Sequence, residues 1–249
     1  RGDCGGGGDG GGDGGGGGGC GGGGDAEKAA KQAAAKAEKE AKKASKKVKN
    51  DMAPGEASSA EGAAEALACC KLDFRCGLIT RAWEHPESDK LWVEEIEVGE
   101  AKPRQICSGL RAFYATADEV CPRGGRAVVV VANLKTKKLG GLPSEGMVLC
   151  AASPAHDVVK FVDPPAGAKP GDRVTFQGLP IVEPATAAQI MKKKVAEAVI
   201  FGRQLTTAAS LNGSSGGAVT TCTFQGVHAM VVEGLGECTA PVPAGFVVA

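Results

Sequence analysis

The sequence predicts an all-β fold, a five-stranded barrel followed by a small appended β domain, and two observations point to it. From Leu72 onward, short apolar segments separated by turn residues recur every eight to fifteen residues, which is the rhythm of strands in a barrel or sandwich. Upstream, the composition shifts abruptly at two points and leaves nothing to bury, so the folded core is confined to about residues 71–249.

Residues 1–24 are almost entirely glycine with scattered Asp and Cys, and a disordered tail is expected. Apart from Arg1 it holds no basic or aromatic residue that would make such a tail bind RNA. Residues 25–50 hold nine lysines against four acids among strong helix formers, which predicts a solvated basic helix. Ala is its only regular apolar residue before Val48, so no stripe is available for packing. Lysines gather at its C-terminal end, where they complement the helix dipole. Two readings stand: a charged linker helix, or an accessory helix whose Lys42, Lys43, Lys46 and Lys47 touch phosphate. Residues 51–70, with Pro54, Gly55, Ser58 and Ser59, read as a linker containing a short Ala-rich helical turn.

Leu72, Phe74, Cys76, Leu78 and Thr80 alternate with Asp73, Arg75, Gly77, Ile79 and Arg81, a first strand with one mainly buried face and one partly basic face. In the second strand, Leu91 and Val93 are out of phase with Ile96 and Val98 by one residue, as a β-bulge would produce. Residues 104–110 supply a third strand, residues 126–132 (RAVVVVA) a fourth buried on both faces, and residues 146–152 a fifth. Five strands suit an OB barrel, and residues 113–121 are the helix such barrels commonly place between the third and fourth. Segments 158–162 and 173–176 continue the β pattern around a proline- and glycine-rich loop. The barrel is thus read as 71–178 and the appended β unit as 179–249.

Ten cysteines occur without any C-x-x-C pair, so they are read as free thiols of a reducing compartment and no metal site is expected. The three histidines, His85, His156 and His228, lack a repeated partner motif, and His85 belongs to the turn HPESD in a structural role. Walker A, G-x-S-x-G, HIGH and KMSKS motifs are missing, so no catalytic residue and no cofactor is predicted. No run approaches the roughly eighteen apolar residues that span a bilayer, and a cytoplasmic location is expected. The sequence opens on Arg1 instead of Met, the start expected of a fragment.

Five segments carry a resemblance: LDFRCGLIT at 72–80, HPESDKLWVEEIEVGE at 85–100, RQICSGL at 104–110, VVVVANLKTKKLGGLPSEGMVLCA at 128–151 and PPAGAKPGDRVTF at 164–176. Taken in order, they resemble the C-terminal tRNA-binding domain of endothelial monocyte-activating polypeptide II and its relatives among synthetase cofactors and synthetase tails. The resemblance implies an OB fold that recognises tRNA by shape and backbone, with tRNA and aminoacyl-tRNA synthetases as partners. It also implies that the segment from Leu179 mimics the dimer interface of shorter homologues, so that the protein binds as a monomer. The alternative is a protein-docking or cytokine-like module using the same barrel.

Lys135, Lys137 and Lys138 lie in a glycine-containing loop between the fourth and fifth strands, from which ammonium groups can reach phosphates. The resemblance implies tRNA contacts at Ser144, Gly146 and Met147, which match an S-x-G-M motif, and at Asn133 ahead of the lysines. Arg75, Arg81 and Arg104 are further candidates for a basic face, and Trp83 and Trp92 for base stacking or packing. The chain departs from the family pattern at Cys76, where relatives have an aliphatic residue, and at Glu145, where many have Gln.

Overall fold

The computed structural model describes residues 67–209 and 219–249. The glycine-rich tail, the lysine-rich helix with Lys42, Lys43, Lys46 and Lys47, and most of the linker lie outside these residues. Within them, strands β1 (Phe74–Glu84), β2 (Trp92–Glu97) and β3 (Arg104–Ser108) form an antiparallel meander. Strand β4 (Arg126–Val131) returns to pair with β1, from Phe74 opposite Val131 to Ile79 opposite Arg126. Strand β7 (Met147–Val148) pairs with β4 on its other edge. Closure onto β3 uses single bonds: the Glu145 amide donates to the Gln105 carbonyl at 2.9 Å, and the Cys107 amide to the Ser144 hydroxyl at 3.1 Å.

The run of valines in β4 explains the two-sided core. Val128 and Val130 fill the barrel interior with Ile79, Trp92, Ile96 and Ile106, whereas Val129 and Val131 face Phe74, Leu149 and the appended unit. Alternation over a strand buried on both faces requires this division. The appended unit comprises β10 (Arg173–Phe176), the capped helix α2 (Ala187–Lys192), a π-helical turn (Glu197–Phe201), and strands β11 (Leu205–Ala208), β12 (Thr220–Phe224) and β13 (His228–Val232). Val174 of β10 pairs with both Phe74 of β1 and Val232 of β13, so one sheet runs across the expected boundary at residue 178. The rings of Phe74, Phe176 and Phe224 continue the junction, with centroids 5.5 and 5.8 Å apart in edge contacts.

Several elements differ from the sequence reading. The bulge lies on β1, where Thr80 is the extra residue between Ile79 opposite Ile96 and Arg81 opposite Glu95. The buried stretch of the first strand's alternating face ends at Cys76, since Leu78 is half-buried and Thr80 exposed. The helix of 113–121 shrinks to a single turn, α1 (Ala117–Val120), capped by Thr116, because Phe113 and Tyr114 enter an earlier turn. The fifth strand divides into β7 and β8 (Cys150–Ala152), and β8 pairs with β9 (Val159–Phe161). The eight described cysteines are free thiols, and seven are buried; burial pushes Cys76 up to about 11 and Cys222 up to about 12, far from a reactive thiolate.

Glu94 is wholly buried beside β3, where it accepts the Ser108 hydroxyl at 2.5 Å. Burial pushes its carboxyl up to about 7, against the opposing effect of the Ser108 bond. A folded pKa above the ordinary value means that the unfolded chain ionises first, so this residue's contribution to stability is full at pH 4.5 and falls as pH rises through 7. Glu94→Gln should therefore leave stability nearly unchanged at pH 4.5 and raise it at pH 8, by a few kcal/mol at most. Melting curves at the two pH values measure the gap; equal gaps would show that Glu94 does not titrate in this window.

Candidate nucleic-acid interface

The lysine-bearing segment predicted as a flexible loop is an ordered β-hairpin. Strands β5 (Lys137–Leu139) and β6 (Leu142–Ser144) pair antiparallel, with Leu139 opposite Leu142 across Gly140 and Gly141. Both glycines have positive φ, 52° and 85°, the requirement of a two-residue primed turn that only glycine meets without strain. Lys135, Lys137 and Lys138 are exposed, and no ion pair among the described residues involves them. Lys137 and Lys138 thus stand on the hairpin, and Lys135 lies in the connection that leads into it.

Two polar side chains fix the hairpin's base. Arg104 donates through one terminal nitrogen to the carbonyls of Ala132 and Glu145, the latter at 2.8 Å, and so ties together the two chain segments that flank the hairpin. Its other nitrogens bind Glu100 at 2.9 and 2.6 Å, which holds that carboxyl below its usual range. Asn133 donates to the carbonyls of Lys71 and Ala185 at 2.9 and 2.8 Å and accepts from the Asp73 amide at 2.9 Å. At the tip, buried His85 receives the Glu87 amide on Nδ1 at 3.1 Å and uses Nε2 to bond the Leu139 carbonyl at 3.0 Å. The amide bond assigns the proton to Nε2, so the imidazole latches the hairpin to the β1–β2 connection.

Several of the predicted site residues have partners within the protein. Arg104 and Asn133 are internal clamps, since their donors are occupied by backbone or carboxylate partners. Ser144 is only 5% exposed, with its hydroxyl accepting from Cys107 and donating to the Gly146 carbonyl at 3.2 Å. Gly146 is a packing position, because a Cβ there would stand 3.0 Å from Ile106 Cδ1 and from the Val131 carbonyl. Arg75 binds Asp73 at 2.7 Å and reaches Glu100 at 3.5 Å. Arg81 is exposed, with its guanidinium over the ring of half-buried Trp83. Trp92 belongs to the core, with its indole N–H bonded to the Tyr114 carbonyl at 2.9 Å. Met147 is half-buried and, with Lys135 and Lys137, lines a cleft beside the hairpin. Glu145 folds back to accept the Gln105 amide at 3.2 Å, which draws its carboxylate toward β3.

A barrel of OB connectivity with a basic hairpin between its fourth and fifth strands places the molecule among the OB-type barrels. More particularly, residues 74–173 match the family described as putative tRNA binding domain. The chain is 38% identical over 177 residues to the tRNA-aminoacylation cofactor arc1 of Schizosaccharomyces pombe, covering 68% of this chain and 36% of that protein. It is 39% identical over 125 residues to aminoacyl tRNA synthase complex-interacting multifunctional protein 1 of Mus musculus, covering 50% of this chain and 38% of the relative. It thus spans about a third of the length of these relatives. The C-terminal domain of Plasmodium vivax p43 superposes with a TM-score of 0.60 at 27% identity, covering 72% of this chain and 98% of that domain.

Gly140→Ala tests the latch, since the added methyl would sit 2.4 Å from His85 Cε1 at a φ of +52°. The strain costs roughly 1–2 kcal/mol. Hydrogen exchange of residues 137–144 should accelerate by about tenfold with the barrel amides unchanged. Unaltered exchange in the hairpin would remove His85 from this role.

Proposed function

We propose that this protein is a non-catalytic, cytoplasmic tRNA-binding module that delivers or retains tRNA for an aminoacyl-tRNA synthetase, in trans or as a synthetase tail. The observation that carries the reading is the clamped hairpin with Lys137 and Lys138 exposed on it and Lys135 exposed in the connection that leads into it. Ammonium groups on a rigid frame match phosphates by spacing and not by base identity, which suits recognition of a folded RNA by its backbone. The names of the Schizosaccharomyces pombe and mouse relatives, an aminoacylation cofactor and a synthetase-complex protein, support the same partners. No described helix is long and apolar enough to cross a membrane. The protein acts as a monomer on this reading, because the appended unit covers the outer face of β1 and β4.

The test is a filter-binding titration against total tRNA, duplex DNA and unstructured RNA over a range of salt. Tighter, salt-sensitive binding of tRNA is expected. Replacing Lys135, Lys137 and Lys138 by Ala should weaken binding of all tRNAs alike and flatten the log–log salt slope by roughly 0.7–0.9 for each phosphate that is no longer neutralised. A loss confined to one isoacceptor would overturn recognition by shape, and no preference for tRNA would overturn the reading as a whole.

A further inference from the structure

Beside the hairpin lies a cleft of about 530 Å³, within the size range of roughly 300–1,000 Å³ typical of small-molecule pockets. One wall belongs to the barrel and includes Phe113, Leu134 and Met147; the other belongs to α2 and the π-helical turn and includes Met191 and Phe201. Val199 and Ile200 of that turn are buried, yet Phe201 is 61% exposed and Met191 is 53% exposed at the cleft. Large apolar side chains grouped at the mouth of a groove mark a contact surface, and π-turns recur at functional sites.

The charges around the cleft restrict what can occupy it. Apart from thiols, the ionisable side chains lining it are Lys135, Lys137, His156 and Glu197. Lys192, Lys193 and Lys194 follow Met191 directly at the end of α2, all exposed. Two lysines and one acid therefore line the cleft, and the three further lysines lie outside the lining, next to Met191 in the chain. Ser108 also lines the cleft, and because its hydroxyl donates to Glu94 its oxygen keeps only acceptor capacity. An occupant with a flat apolar face, an N–H donor at its edge and negative charge on both flanks meets all three features. A peptide would need acidic residues on both sides of an aromatic one, whereas a nucleotide within an RNA chain has this arrangement in every unit.

On the tRNA reading above, we propose that the cleft holds one unstacked nucleobase of the bound RNA, against Phe201 and Met191. Its flanking phosphates meet Lys135 and Lys137 on one lip and Lys192, Lys193 and Lys194 on the other. The binding surface then extends from the barrel onto the appended unit, where the three consecutive lysines acquire a task.

Phe201 is exposed enough for its replacement to leave the fold intact, which a melting curve of each variant checks. Stacking of one base on an aromatic ring is worth roughly 1–3 kcal/mol, so Phe201→Ala in the full chain should weaken total tRNA binding by about tenfold. Phe201→Trp should bind as the parent does, and its added indole emission, taken by difference from the parent, should be quenched as tRNA is titrated. If the parent binds tRNA while Phe201→Ala binds equally well and Phe201→Trp shows no quenching, the base pocket is overturned and the tRNA reading stands. Quenching by a synthetase and not by tRNA would make the cleft a protein-docking site and overturn the proposal. If the parent has no preference for tRNA, the underlying reading fails first.

Discussion

Asn133 has one side-chain amide, and two distant chain segments, residues 71–73 and Ala185, converge on it. Its donors reach the carbonyls of Lys71, at the entry to the barrel, and Ala185, at the start of the appended helix; its oxygen receives the amide of Asp73. The Asp73 amide and the Ala185 carbonyl depend on it, while the Lys71 carbonyl also accepts the Ala185 amide at 2.9 Å. A buried backbone group left unpaired costs roughly 1–3 kcal/mol, so the amide contributes by making this meeting point possible at all. Both the continuous sheet through β10 and the shared phenylalanine contacts lie behind that junction. The appended unit is therefore seated on the barrel in one position, and a cleft between them has walls of fixed separation.

The same constraint shapes the hairpin. Its base follows Asn133 directly and is gripped from the other side by Arg104; its tip is held by His85. A lysine on a mobile loop loses chain entropy as well as its own rotamer freedom when it meets a phosphate, and only the surplus appears as affinity. Lys137 and Lys138, on a clamped hairpin, lose side-chain freedom alone. Because β5 alternates, Lys137 faces the cleft and Lys138 the opposite surface, so the hairpin presents charge in two directions.

Much of this fold was legible in the sequence, for identifiable reasons. RAVVVVA could only be a strand buried on both faces, and that fixes where the two cores lie. The Gly140-Gly141 pair between KKL and LPS was also a readable hairpin signal, although the segment reads as a loop when the lysines are weighed for charge alone. The partners of the polar residues were not legible. Asn133, Arg104 and Ser144 sit in family motifs and look like ligand contacts, but their bonds run to residues 28 to 62 positions away in most cases, and sequence patterns do not reveal such long-range pairing. Phe201 was hidden for the opposite reason, since an apolar residue near Val199 and Ile200 reads as core until a π-turn rotates it outward.

The equal numbers of acids and bases also take on a structural meaning. A formal net charge of zero would argue against a polyanionic partner if charge were evenly spread, but screening limits exposed charges to interactions within about 8–10 Å, so local distribution decides. Two of the four acids of the VEEIEVGE segment have internal partners: Glu94 is buried on Ser108, and Glu100 is bound by Arg104 with Arg75 at its edge. Arginines are matched to these carboxylates, where a planar bidentate group is the better partner. Lysines are left at the surface of the hairpin and at the end of α2, where a flexible point charge can meet phosphates of varied geometry. Near the hairpin, the arginines Arg75 and Arg104 are thus engaged by carboxylates that hold the fold together, whereas Lys135, Lys137 and Lys138 stay exposed to a ligand.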